Sequence, residues 1–128
     1  RALKEHNIEL KEKYIFLGDY TEKKAYQLSR QCLALDERPT AVLTCKNNTT
    51  MGFFRAKKEK GIGEGEIACI GFDKIKALEF FDINFNYIER SVYSMGKKAA
   101  ELLLQRIQNP DQPRTKYIIE PKLVIKHI

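Results

Sequence analysis

Three apolar runs, each ending abruptly in polar or aromatic residues and each set apart by a helix-like stretch, constrain this chain more than anything else in it. Tyr14-Ile15-Phe16-Leu17 runs into Gly18, Asp19 and Tyr20; Ala41-Val42-Leu43-Thr44-Cys45 runs into Lys46, Asn47 and Asn48; Ile67-Ala68-Cys69-Ile70-Gly71-Phe72 runs into Asp73. Strands that alternate with helices pair in parallel, because the crossover returns the chain to its starting edge. Their carboxyl ends then share one edge, and in open α/β sheets that edge is where ligands bind. The pattern predicts an α/β fold, a mostly parallel sheet flanked by helices, with a small-molecule site at the strand ends.

The segments between follow the same logic. Residues 1–6 read as the tail of a helix and residues 7–13 as a loop. From Thr21 a helix carries Ala25, Leu28, Cys32 and Leu35 at helical spacing, and residues 36–39 end it. Asn47 or Asn48 suits the N-cap of a helix bearing Met51, Phe54 and Ala56 and stopping at Gly61. A helical turn is expected after Asp73 and a brief strand at residues 86–89. Ser91 then caps an amphipathic helix to Gln108, with Val92, Met95, Ala99, Leu102, Leu103 and Ile107 as its stripe. Residues 116–119 and 123–125 read as two short terminal strands broken by Pro121.

Bulk properties exclude more than they assign. With 128 residues, 43% of them hydrophobic, the chain can bury one domain's core, and no apolar run approaches the length of a bilayer span. It opens on Arg1 rather than methionine and so reads as an excised piece. A net charge of +6 invites a nucleic-acid reading, but the bases are interleaved with acids, as in Lys11-Glu12-Lys13 and Lys57-Lys58-Glu59-Lys60, which suits solvated faces rather than a phosphate-binding stripe. Cys32, Cys45 and Cys69 lack any paired spacing and each sits in an apolar stretch; all three read as buried reduced thiols, favouring a reducing, cytoplasmic compartment.

Catalytic chemistry finds no support. His6 and His127 lie far from any nucleophile signal and read as structural or exposed. There is no nucleophile elbow and no metal-ligand spacing, so neither a catalytic residue nor a metal or cofactor is expected. The run Gly61-Ile62-Gly63-Glu64-Gly65-Glu66 follows a helix and precedes a strand, the reverse of a phosphate-cradling loop, and reads as a turn. At the strand ends, Asp73 suits either a ligand's hydroxyls or amine, or the N-cap of the turn after it. Tyr20 suits stacking on a sugar or base, or an ordinary half-buried ring; Lys46 suits hydroxyl, carboxylate or phosphate, or plain solvent.

The order Gly18-Asp19-Tyr20, Pro39-Thr40-Ala41-Val42-Leu43-Thr44-Cys45-Lys46-Asn47, Gly52, Gly61-Ile62, Ile70-Gly71-Phe72-Asp73, Met95-Gly96-Lys97-Lys98-Ala99-Ala100 and Glu120-Pro121-Lys122-Leu123-Val124 resembles the lac-repressor-like (LacI/GalR) family of transcription regulators along essentially the whole chain. The resemblance implies a type I periplasmic-binding-protein-like C-terminal subdomain over residues 1–89, a crossover segment and helix of the other subdomain over 90–112, and returning strands over 113–128. It implies a small effector, a sugar or sugar phosphate, held by Tyr20, Lys46, Asn47, Asp73 and Arg90. Lys46 and Asn47 stand where the family usually has Asn and Asp; that departure fits an anionic effector, whereas Asp73 and Tyr20 suit a neutral sugar. It also implies a homodimer using Met51, Phe54, Leu78 and Phe81, each worth roughly 1.5–3 kcal/mol if fully buried, and operator DNA reached only through a separate head. The stripe of the 91–108 helix is expected to dock on its own domain or on a second copy. Runner-up readings are a solute-binding protein for transport or chemotaxis, which shares the fold, and an α/β enzyme.

Overall fold

The computed structural model describes residues 1–80, 83 and 85–126, apart from the side chain of residue 79. Phe81 and His127, singled out above, lie outside the described residues. A short N-terminal helix α1 (Ala2–Glu5) and a 3-10 turn at Glu12–Tyr14 lead to helix α2 (Glu22–Cys32). Strand β1 (Ala41–Leu43), helix α3 (Asn47–Glu59), strand β2 (Ala68–Phe72), the short helix α4 (Lys76–Glu79) and strand β3 (Asn86–Glu89) follow. The long helix α5 (Val92–Gln108) and strand β4 (Lys122–Val124) complete the chain. The strands form one sheet in the order β1-β2-β3-β4. The pairs β1–β2 and β2–β3 are parallel, and β4 runs antiparallel to β3.

Helix α2 starts where its cap dictates: the Thr21 hydroxyl accepts from the Lys24 amide at 3.2 Å. Ala25 and Cys32 are buried as the periodicity requires, and Leu28 and Leu35 are half-buried. In α3 the buried residues are Thr50, Gly52, Phe53, Ala56 and Lys57. Gly52 lets the two helices touch: a Cβ there would lie 2.6 Å from the Tyr26 nitrogen and 2.8 Å from both the Ala25 Cβ and the Glu22 carbonyl. One core cluster joins Leu33, Phe53 and Ala56 to Ile67 and Cys69 of the sheet side. A second gathers Ile75, Leu78, Phe85 and Tyr87, and Phe54 links the two with edge contacts of 5.7 Å to both Phe53 and Phe85. Lys57 is buried with its ammonium on the carbonyls of Glu64 (3.0 Å) and Ile67 (3.4 Å), which pins the glycine-rich turn.

Several expectations need correction. The first predicted strand does not form: Tyr14 ends the 3-10 turn, and Ile15, though extended (φ −102°, ψ 113°), joins no ladder among the described residues. Its anchors lie elsewhere, since Lys13 pairs with the Glu37 carboxylate at 2.5 Å and the Tyr14 hydroxyl donates to the Glu37 carbonyl at 3.2 Å. Of the two terminal strands only β4 is present; residues 116–119 pair with nothing in the sheet. Cys32 and Cys69 are buried free thiols, but Cys45 is exposed, because the alternation that buries Thr44 turns its neighbour outward.

Helix α5 does not dock on its own sheet. Ser91 caps it as expected, its Oγ accepting from the Ser94 amide at 3.3 Å, yet none of its residues is buried. The reason is topological. Glu89 is paired with Lys122, so residues 90–121 leave and re-enter the sheet at the carboxyl end of β3. The excursion is held by its own return segment, with Lys98 Nζ 4.9 Å from the Tyr117 ring centre and Arg106 bonded to the Gln112 carbonyl.

Candidate functional site

The carboxyl ends of β1, β2 and β3 share one edge, and four of the five residues expected there form two contacting pairs. In the first, Lys46 lays its ammonium 4.1 Å from the centre of the Tyr20 ring. Tyr20 arrives from a loop rather than from a strand, and its carbonyl accepts from the Asn48 side chain at 3.5 Å. Lys46 is set by the start of α3: its carbonyl accepts from the Thr50 amide at 2.9 Å and from the hydroxyls of Thr49 (2.6 Å) and Thr50 (3.1 Å). Asn47 is the exposed first residue of that helix.

In the second pair, Arg90 grips Asp73 with two arms of its guanidinium, Nε on Oδ1 at 3.0 Å and Nη2 on Oδ2. That fork holds the Asp73 carboxyl below the usual carboxylate range and raises Arg90 in turn. The Asp73 amide donates to the Ile88 carbonyl of β3 at 2.9 Å, so the two partners leave neighbouring strands. Asp73 caps no helix: α4 has Ile75 at its N-cap position without a side-chain bond, so the capping alternative falls. Arg90 also lies 5.8 Å over the Phe72 ring.

A buried layer ties the two pairs together. The hydroxyls of Thr44, at the end of β1, and Thr50, in α3, meet at 2.7 Å, and the Thr44 amide donates to Ile70 of β2 at 2.9 Å. A Cβ at Gly71 would lie 2.9 Å from the Thr50 hydroxyl and 3.0 Å from Phe85, so only glycine admits this approach. Sequence reasoning missed Thr44 and Thr50; two threonines flanking a strand end and a helix start were the only signal. Asp19 turns from the rim to α2, accepting from the Thr21 amide (3.0 Å) and hydroxyl (2.7 Å), bonds that lower its pKa. Tyr20 and Asp73 both have φ of +65°, a region side chains rarely adopt, which sites rather than scaffolds tend to maintain.

The chemistry on offer is binding. The rim presents an aromatic face, two cations and a carboxylate, and no His, Cys and carboxylate cluster among the described residues could hold a metal. Of the expected dimer residues, Leu78 is 2% exposed and belongs to the protomer's core, so it has no surface to offer a second copy. Met51 and Phe54 are half-buried, while Phe80 stands 86% exposed.

An α/β unit with polar and aromatic side chains gathered beyond the carboxyl ends of parallel strands is the architecture of binding-protein-like domains. The chain belongs to the periplasmic binding protein-like domain family, whose model matches residues 1–127. Within that class its similar proteins include transcription regulators. It is 34% identical over 127 residues to the HTH-type transcriptional repressor PurR of Mannheimia succiniciproducens, covering 98% of this chain and 38% of that protein. Among solved structures, a regulatory protein of the LacI family from Chloroflexus aggregans superposes with a TM-score of 0.87 at 23% identity, covering 97% of this chain and 45% of the other. The transcriptional regulator CelR in complex with cellobiose gives 0.87 at 21% identity, covering 97% and 38%. The chain thus spans less than half the length of these relatives, which are named as transcription regulators. No helix of the described residues is long and apolar enough to cross a membrane.

Proposed function

We propose that this chain is one lobe of the effector-binding domain of a LacI-type transcription regulator that senses a small sugar-like ligand in the cytoplasm. Residues 1–89 form the lobe, 90–112 cross to a second lobe through α5, and 113–128 return. The observation that carries this reading is the shared edge: Lys46, Asp73 and Arg90 lie beyond the carboxyl ends of neighbouring parallel strands, and the α5 excursion departs from the same edge. A ligand held there would touch both lobes and shift their relative orientation by its differential affinity for the two arrangements. An operator-reading head outside this chain would feel that shift. The protein acts as a homodimer, with Phe80 and the outer faces of Met51 and Phe54 at the contact, while Phe81 remains a candidate on sequence alone.

The test is a thermal-shift screen of sugars and sugar phosphates against the complete regulator, alongside Asp73→Ala, with operator binding measured in parallel. At least one compound should raise the melting temperature of the parent and change its operator affinity, and Asp73→Ala should blunt both effects. Stabilisation undiminished by Asp73→Ala would remove the rim from the mechanism.

A further inference from the structure

The way the rim's charges are already paired carries the reading one step further, to the charge of the ligand. Asp73 is the carboxylate that would greet a neutral polyol, yet its charge is already matched by Arg90, which bonds each of its oxygens. The other nearby carboxylate, Asp19, is turned to the amide and hydroxyl of Thr21. Among the described residues no carboxylate pairs with Lys46; its ammonium rests only on the Tyr20 face, exposed and 4.1 Å from the ring centre. A cation lying on an aromatic ring keeps donors that the ring cannot satisfy, since an ammonium has three and the π face engages one side. The backbone of Lys46 is also held in place: three hydrogen bonds from Thr49 and Thr50 end on its carbonyl.

Resting on the function proposed above, we infer that the effector is an anion whose phosphate or carboxylate binds Lys46 beside the Tyr20 ring. The sugar body stacks on that ring, and its hydroxyls reach the edge of the Asp73–Arg90 pair. Arg90 has spent its charge on Asp73, so Lys46 supplies the unneutralised positive charge that selects against the uncharged parent sugar.

Calorimetric titration of the complete protein with matched probes tests this: glucose, fructose and ribose, their phosphates, gluconate and glucuronate, with inorganic phosphate as a reference. A phosphorylated or carboxylated member should bind at least tenfold more tightly than its neutral parent, and the two anionic arms tell phosphate from carboxylate. Lys46→Gln should remove that preference, weakening the anion tenfold or more and by a clearly larger factor than the neutral parent; Lys46→Arg should restore it. Unliganded melting of each variant checks that the fold is intact. Neutral sugars binding as well as their anionic forms, an anion indifferent to Lys46→Gln, or no binding by any anionic probe each overturn the inference. Tyr20→Ala separates the two failures. A ligand lost with Tyr20→Ala but not with Lys46→Gln leaves the rim in place and sinks charge selection, whereas indifference to both sinks the rim as well.

Discussion

Replacing Gly52 by alanine should destabilise this protein even though alanine is the better helix former. The added methyl would sit 2.6 Å from the Tyr26 nitrogen and 2.8 Å from the Ala25 Cβ and the Glu22 carbonyl oxygen, two of these three atoms being backbone. Comfortable contacts to carbon lie near 3.5–4.0 Å, so α3 must back away from α2 by on the order of 1 Å. A gap of that size forfeits a quarter to a half of the attraction between facing atoms, and overpacking of this kind costs roughly 1–3 kcal/mol. Against it stands a gain of about 1 kcal/mol from exchanging glycine for alanine in a helix. The net expectation is a loss of up to about 2 kcal/mol, seen as a urea midpoint lowered by up to roughly 1 M for a denaturant slope of about 2 kcal/mol per molar. Gly96 in α5 is the internal control: nothing lies within 4 Å of its would-be Cβ, so Gly96→Ala should stabilise the 128-residue chain by up to about 1 kcal/mol. If Gly52→Ala shifted the midpoint upward as Gly96→Ala does, the close helix approach drawn here would be wrong.

Further perturbations probe other parts of the molecule. Thr50→Val keeps the shape but removes a hydroxyl bonded to Thr44 and to the Lys46 carbonyl, for an expected cost of roughly 1–2 kcal/mol by equilibrium unfolding. Phe53→Ala, at a site 1% exposed, should cost about 3–5 kcal/mol in the same assay. Because Arg90 depresses the Asp73 carboxyl, the pair's small contribution is complete above the unfolded aspartate value of about 3.9 and is lost as pH falls through the lower folded value. Asp73→Asn should therefore flatten the acid limb of stability against pH below about 4, and an unchanged limb would deny the pair any folding role. Burial pushes the Cys69 thiol up to about 11, and burial raises Cys32 too, so iodoacetamide near pH 8 should label exposed Cys45 first; mass spectrometry showing Cys69 modified equally fast in the folded protein would contradict its burial.

Much of this was legible in the residues because it is local. Thr21 and Ser91 cap the helices they announce, and strand-forming runs at 41–45 and 67–72 yield β1 and β2 in parallel. What failed is non-local. The run at 14–17 has a strand's composition, but pairing needs a neighbour, and Glu37, more than twenty residues on, captures Lys13 and Tyr14 instead. Asp73 reads in the sequence as ligand contact or helix cap; the cap is absent, and the partner it does have, Arg90, stands seventeen residues later, where no spacing rule pairs the two. The stripe of α5 was readable and its burial was not, since amphipathicity names a face without naming what covers it. Thr44 and Thr50 escaped notice because a buried hydroxyl pair has no signature until helix and strand are set side by side.

The left-handed backbone at Tyr20 and Asp73 has a bearing on how this protein tolerates change. Holding a tyrosine there costs roughly 1–2 kcal/mol, part of which glycine would recover, whereas an aspartate tolerates the region better. Selection or engineering for thermal endurance alone would therefore favour glycine at Tyr20, deleting the ring. On the function proposed above, variants hardened that way should survive heat while losing part of their response to effector.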